Sequence, residues 1–407
     1  MLSVPRTEFV PRTDFAPTSG IQTASTFDNL PERGARPDNG NWIPVTNPFL
    51  AYISQGQLYM QGDGASRILE SPFGRSLRDR AIQIYNRNAW KTQGRGGQAL
   101  SSAVHACPER DPGEFRIAIT SVARGLNPGE LLYTLETDEI SGVFARNDAG
   151  AEQRLFHTAD FRVRHLDARP TGDEFAVSIY HRNGSANVAV LKTDGSDLTE
   201  VTDGESADEA PCWAPGPGRR LVFQSAGLAR DPRGRYAGRG PSSVQQLDLD
   251  TGEISCLVQD DNFDFLWPRM AADGSLYYIR KPNCRAPQSA TPWAALEHTV
   301  LLPFRILWVI GKLIDLFVER RTGRPIFAAK DVPGGAAKPP SSWLLMRQTP
   351  QSAGQAEMVA DGVLSFDLGA DGSVVYSDGF DVYRIPATGE PAAKILAGAG
   401  VELIAAL

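Results

Sequence analysis

Apolar and β-branched residues along this chain recur in short runs, each entered through a glycine turn. The runs read NPGELLYT (residues 127–134), PTGDEFAV (170–177), PGPGRRLVF (215–223), ADGSLYYI (272–279) and ADGSVVYS (370–377). Each glycine sits where a tight turn needs positive φ, and the residues after it suit a buried strand. A second series reads strand, turn, strand: SGVFARNDAGAEQRLF (141–156), NVAVLKTDGSDLTEVT (187–202), SVQQLDLDTGEISCLV (243–258) and DVYRIPATGEPAAKIL (381–396). A looser copy, WLLMRQTPQSAGQAEMV, covers 343–359.

The glycines of the first series are evenly spaced once two additions are set aside. Gly129 to Gly172 is 43 residues and Gly172 to Gly216 is 44. The two longer intervals contain an arginine- and glycine-rich stretch (226–241) and a segment at 285–340; without these, each falls to about 42 residues. A period of that length holding about four strands is the mark of a β-propeller blade. Five blades fit between residue 115 and residue 396. The ends hold the makings of a sixth: three strands within residues 48–70 and an apolar run at 401–407. A ring loses its free edges only when its two ends meet in one blade, so the last strand is expected to complete the first blade. The expectation is all-β: a six-bladed propeller closed by its C-terminal strand, spanning 42–407.

The pattern of a Gly turn, a β-run and then D-V-Y-R-I with a later glycine resembles the TolB-like six-bladed propeller family. DVYRIPATGE, LKTDGSDLTEVT and PCWAPGPGRRLVFQS carry the resemblance, over about two thirds of the chain. Members of that family include periplasmic scaffolds and the propellers attached to prolyl oligopeptidases. This chain differs from both, with no signal-like apolar run at its start and no length left for a hydrolase domain, so the resemblance implies a stand-alone member.

Four segments fall outside the repeat, and function sits more often in such additions than in the scaffold. Residues 1–41 are rich in Pro, Thr, Asn and Gly and read as an extended tail. The tail carries a tandem VPRTEF–VPRTDF, which places Phe9 and Phe15 for docking either to a partner or to the chain's own propeller. Residues 71–104 read as an inter-blade helical segment. Within it, GRSLRDRAIQIYNRNAWK puts Leu77, Ala81, Ile84 and Tyr85 at helical spacing, with Arg75, Arg78, Arg80, Arg87 and Lys91 around them. The stretch 227–240, with Arg230, Arg233, Arg235 and Arg239, reads as a mobile solvated loop.

The fourth segment, 285–340, reads as an α-helical hairpin inserted in blade five. Its second helix, PFRILWVIGKLIDLFVERR, is apolar on all but one stripe. Lys312 and Asp315 near its centre would each cost about 2.5–3.5 kcal/mol in a bilayer core, so it does not span one. Left in water it would forgo on the order of 15–30 kcal/mol of burial. Something therefore covers Phe304, Leu307, Trp308, Ile310, Leu313, Ile314 and Phe317: the propeller's own flank, a protein partner or second copy, or a membrane surface, where Arg320 and Arg321 suit anionic headgroups.

Net charge -7 speaks against a nucleic-acid binder. The four cysteines form no CxxC pair, and the five histidines no HExxH or HxH, so no metal or other cofactor is expected. There is no GxSxG elbow. Without an export signal a cytoplasmic protein is the expectation, with association to a membrane surface open through the insert. Catalysis is left to one route: carboxylates from separate blades meeting in the central channel. Asp160, Asp208, Asp261 and Asp264, near the starts of expected innermost strands, are the candidates. The sequence thus favours a non-enzymatic scaffold or adaptor of a bacterial-type assembly, working through the inserted helix and the tail. The alternatives are a hydrolase or lyase acting on a sugar or peptide, and a membrane-peripheral adaptor.

Overall fold

The computed structural model describes residues 50–62, 66–92, 116–170, 172–283, 338–351 and 354–407, with only the backbone of 88–92. The tail with Phe9 and Phe15, the stretch from Phe304 to Arg321 expected as a helix, and residues 93–104 lie outside the described residues.

The strands run β1 (Leu50–Ser54), β2 (Gln57–Gln61) and β3 (Ser66–Ile68), followed by helix α1 (Pro72–Thr92). Then come β4 (Ile117–Arg124), β5 (Leu131–Thr137), β6 (Ser141–Arg146) and β7 (Glu152–Thr158). β8 (Arg162–Ala168), β9 (Glu174–Tyr180), β10 (Ala186–Lys192) and β11 (Thr199–Glu200) follow. Next are β12 (Ser206–Trp213), β13 (Arg220–Arg230), β14 (Tyr236–Arg239), β15 (Ser243–Asp248) and β16 (Ile254–Val258). The chain continues with β17 (Phe263–Met270), β18 (Leu276–Pro282), β19 (Leu344–Gln348) and β20 (Ala356–Asp361). It closes with β21 (Ser365–Leu368), β22 (Val374–Ser377), β23 (Val382–Ile385), β24 (Ala393–Leu396) and β25 (Leu403–Ala406).

These strands form antiparallel meanders in the manner of propeller blades. The orders are β25-β1-β2-β3, β4-β5-β6-β7, β17-β18-β19-β20 and β21-β22-β23-β24, with a larger sheet running from β8 to β16. β25 pairs with β1, from Leu50 opposite Ala406 to Ile53 opposite Leu403, as the sequence led us to expect. The first strands pack on one another: β4 on β8, β8 on β12, β12 on β17, β17 on β21, β21 on β25 and β25 on β4. We call these six the inner strands.

The turns expected from the glycine series are present. Gly129, Gly172, Gly216, Gly274 and Gly372 all have positive φ, as do Gly150, Gly195, Gly252 and Gly389 of the second series. Gly195 shows why no other residue serves. Its φ is +85°, and a Cβ there would stand 2.1 Å from the carbonyl oxygen of Leu155.

The core is distributed rather than central: apolar clusters join consecutive sheets, and one, with Ala176, Val188, Trp213 and Phe223, fills the larger sheet between its halves. Ala51, Ile53 and Leu58 pack with Ile119, Leu131, Tyr133 and Phe144. Val163, Phe175 and Val177 pack with Leu132 and Val143, and Leu50 and Ile404 with Val375 and Val382. At about 1.5–3 kcal/mol for each large side chain buried, these seams hold neighbouring sheets together.

Two additions are ordered otherwise than the sequence suggested. Residues 227–240 are not a free loop. β13 runs on past its sheet to Arg230, and β14 pairs back on it as a hairpin. Asp231 accepts the backbone N–H groups of Arg233 and Arg235 at its tip. Helix α1 is capped by Ser71, whose hydroxyl accepts the Gly74 N–H (3.1 Å), with Pro72 in the first helical position. Its first turn is fixed to the β4–β7 sheet, where Glu152 accepts the Phe73 N–H (2.9 Å) and Phe73 packs on Phe144. Leu77, Ala81 and Tyr85 are half-buried as expected, but Ile84 is 52% exposed. At 100° per residue Ile84 falls on the margin of the stripe that the other three define, so the helix face is narrower than its apolar spacing implied.

Candidate functional site: the inner strands

The inner strands share an irregularity that positions their side chains. In four of them the pairing with the next strand is interrupted by a β-bulge: in β4 at Ile119/Ser121, and in three of a common kind at Arg164/Asp167, Glu209/Cys212 and Leu266/Arg269. In the last three the first extra residue has left-handed φ: His165 (53°), Ala210 (52°) and Trp267 (54°). A bulge frees backbone N–H groups from the ladder, and here they are taken up by side chains on other strands. Leu166 N–H donates to Ser121 Oγ (3.0 Å), Ala210 N–H to Ser178 Oγ (3.1 Å) and Trp267 N–H to Gln224 Oε1 (2.9 Å). Two further clasps run from carboxylates. Asp167 Oδ2 accepts the Trp213 N–H at 2.7 Å, and Asp367 Oδ2 accepts the Ala406 N–H at 2.9 Å.

The bulges bring two sets of side chains together. The upper set holds His165, Tyr180, Trp267, Glu209 and Arg239. His165 Nδ1 lies 3.2 Å from Ser178 Oγ, 3.3 Å from Tyr180 Oη and 3.2 Å from the Ala210 amide nitrogen. Burial, with the charges of Arg164, Arg269 and Arg239, pushes the His165 imidazole down to about 4, so it is neutral at physiological pH; Glu209 acts in the opposite sense. Its ring meets Trp267 edge to face, with centroids 4.8 Å apart, although β12 separates their strands in the sequence of contacts. Glu209 is 5% exposed and accepts both Arg239 guanidinium nitrogens (2.7 and 2.9 Å) and Gln224 Nε2 (2.8 Å). Burial opposes its charge, but the bonds and charge of Arg239 outweigh it and hold the carboxyl below its usual range.

The lower set lies two residues after each bulge position: Asp167, Cys212 and Arg269, joined by Asp367 from β21. Burial pushes the Asp167 carboxyl up to about 6 and raises that of Asp367; Arg269 works against both shifts. Arg269 Nε stands 3.5 Å from Asp367 Oδ1. Burial disfavours the Arg269 charge, yet Cys212, Asp367 and Asp167 together hold its proton more tightly than usual. The Cys212 thiol is pushed up to about 12 by burial, which leaves it a thiol and no nucleophile. Arg269 and Asp367 keep 16% and 22% of their side-chain surface accessible.

The four carboxylates singled out in the sequence are placed differently. Asp160 and Asp261 are exposed on the connections leading into β8 and β17. Asp208 is buried on β12 and accepts the Ser225 hydroxyl (2.6 Å), while Asp264 on β17 accepts the Ser242 N–H (3.0 Å). Asp160 also lines a cavity of about 490 Å³ with Asp138, Glu139, Phe161, Tyr180 and Arg182. The pair that meets inside is Asp167 and Asp367. Alignment of the inner strands on their bulges, RHLD with EAPC and LWPR, is the signal that would have found the first. Among the described residues no cluster of His, Cys, Asp and Glu is arranged to hold a metal ion. No described helix is long and apolar enough to cross a membrane.

No protein-family model and no curated protein matches the sequence. Among solved structures, the crystal structure of a nidogen/laminin complex is similar with a TM-score of 0.50 at 8% identity, over 89% of this chain and 99% of that one. TolB from Acinetobacter baumannii is similar with a TM-score of 0.47 at 11% identity, over 88% of this chain and 66% of that one. An oligogalacturonate lyase in complex with manganese gives 0.39 at 10% identity, over 69% and 66%. At 8% identity the first likeness is one of fold alone, and it agrees with the propeller-like sheet order.

Proposed function

We propose that this chain is a six-bladed propeller of TolB-like type, closed by the pairing of β25 with β1, that works as a non-enzymatic scaffold for protein assembly. Six blades follow if the larger sheet is two blades touching at the single parallel pair Ala186–Ala207, and the contacts among inner strands run full circle. The observation that carries the scaffold reading is how the interior charges are used. Glu209 is bound to Arg239, Asp367 to Arg269, and Asp167 and Asp367 each clasp a backbone amide at or next to the neighbouring inner strand. Groups so committed hold blades together and are poorly placed to act on a substrate. Contact with partners then falls to the additions, above all the apolar helix at 303–321, with the tail as a second tether and the cytoplasm as its setting.

One observation favours the alternative of a hydrolase or lyase. Asp167 and Asp367 converge with raised pKa values, and a carboxyl that keeps its proton near neutrality can act as a general acid. Replacing residues 285–337 with a short Gly-Ser link separates the readings, with solution mass and liposome flotation measured beside the full chain. The scaffold reading expects self-association or flotation of the full chain and a folded, lipid-indifferent monomer after replacement. A monomeric full chain that ignores lipid, and a replacement that unfolds, would make the helix flank packing and return attention to Asp167 and Asp367.

A further inference from the structure

We propose that the β13–β14 hairpin is a hinged strap that closes over the Glu209 carboxylate and opens as a unit while the ring stays folded. Its root is a break in the sheet. Along β13, pairing with β12 reaches only to Gly227 and pairing with β15 only to Ser225; beyond them β13 has β14 alone as a ladder partner. Gly227 and Gly240 face each other at this point, with the Gly240 N–H donating to the Gly227 carbonyl (2.9 Å). A Cβ on Gly227 or Gly238 would meet nothing within 4 Å, and one on Gly240 only the Gly227 carbonyl oxygen at 3.6 Å. The root is thus two glycines wide and clear of neighbouring side chains, which leaves its backbone free to turn.

The strap is fastened by polar groups. None of residues 227–240 is buried, and none belongs to an apolar cluster. Leu228 is half-buried, and Tyr236 stands beside Gly184 yet remains 54% exposed. Among the described residues three points of the strap bond to the ring. The Leu228 N–H donates to the Glu205 carbonyl (2.8 Å), and Arg230 reaches the Glu205 carboxylate and the Asn183 carbonyl. Arg239 holds both oxygens of Glu209. The last is the latch. A bidentate pair on a carboxylate buried in an inner strand is strong, whereas the Glu205 side chain is 64% exposed and an ion pair there adds little. A segment held at a few polar points opens more readily than strands held by buried apolar contacts. Closed, Arg239 takes the place on Glu209 that a cation from outside would take. Open, the strap gives up that carboxylate to solvent, with Gln224 still donating to it. The strap does not depend on the scaffold reading.

The test is amide hydrogen exchange of the full chain, followed by NMR under native conditions. Detached from the ring, a two-stranded hairpin keeps little structure in water, so opening also frees the amides bonded within it. At the root, the Leu228 and Gly240 amides donate to the Glu205 and Gly227 carbonyls; at the tip, those of Asp231 and Gly234 donate to Arg235 and Asp231. All four are expected to share one opening equilibrium, exchanging about a hundredfold faster than the amides of residues 221–225 in the sheet. Arg239→Gln should raise the shared rate about tenfold and leave the sheet amides unmoved. That variant leaves Glu209 a charge without its partner, so Glu209→Gln combined with Arg239→Gln, which removes both charges, is measured beside it and should act alike. Arg233→Gln, at the exposed tip, should change nothing. The proposal is overturned by tip amides that exchange faster than root amides, which is fraying; by root amides that exchange at the rate of the sheet; by an equal rise in the sheet or in Arg233→Gln; or by an unchanged rate in the double variant.

Discussion

Removal of residues 401–407 is the most severe small perturbation the structure allows. Val401 is 0% exposed, and β25 places Ile404 at 6%, Ala405 at 1% and Ala406 at 5% exposure. Burial of Val401 and Ile404 contributes about 3–6 kcal/mol at about 1.5–3 kcal/mol each. The four-residue ladder with β1, the Glu402 N–H to Ile53 carbonyl bond and the Ala406 N–H to Asp367 bond add on the order of 3–6 kcal/mol, at about 0.5–1.5 kcal/mol per hydrogen bond. Loss of the strand also exposes Leu50, Ala51, Tyr52 and Ile53, all at 3% exposure or less. The total approaches the entire stability of an ordinary domain, about 5–15 kcal/mol. The truncated chain should lose near-UV circular dichroism, unfold without a cooperative transition and elute as an expanded or aggregated species. A truncated chain that stays monomeric and melts within a few degrees of the full chain would refute the reasoning, because β25 would then add nothing that β1 cannot do alone.

Asp167→Asn should stabilise the protein more at pH 8 than at pH 4.5. The folded carboxyl titrates near 6, above its unfolded value, so the folded state binds the extra proton; the wild type loses stability as pH rises toward 6, by on the order of 2–3 kcal/mol, and an amide does not. Thermal melts at the two pH values check this, and an equal gain at both would remove Asp167 as the titrating group. Gly195→Ala should cost on the order of 1–3 kcal/mol in urea unfolding, since the left-handed turn and the contact with the Leu155 carbonyl both exclude a Cβ; a cost within about 0.5 kcal/mol would show that the turn can relax.

The repeat was legible because a glycine turn is a local event. Positive φ at Gly129 or Gly274 is demanded within two or three residues, so its spacing survives in the sequence. The pairing of β25 with β1 was legible for a different reason: an apolar run at 401–407 had no other partner once the remaining strands were grouped. The inner cluster was not legible, because Asp167, Cys212, Arg269 and Asp367 come from four strands and meet only when the sheets are arranged side by side. Asp160 and Asp261 were chosen by nearness to a strand start, which puts them on the connections instead of inside. Residues 227–240 read as a loop because their arginines obscure the alternation. In the fold those charges are partly neutralised, Arg239 by Glu209 and Arg230 by Glu205, and the backbone pairs as a hairpin.

The junction between β18 and β19 bears on how the chain can be altered. Arg280 stands directly opposite Leu344 in an antiparallel ladder, so the chain leaves the sheet and rejoins it at adjacent points, whatever lies between. The entropic cost of closing such an excursion rises only logarithmically with its length. The blade is therefore nearly indifferent to the size of what it carries there. Through evolution or engineering, that junction is a socket: one module can be exchanged for another of different sequence while the strands on either side keep their register.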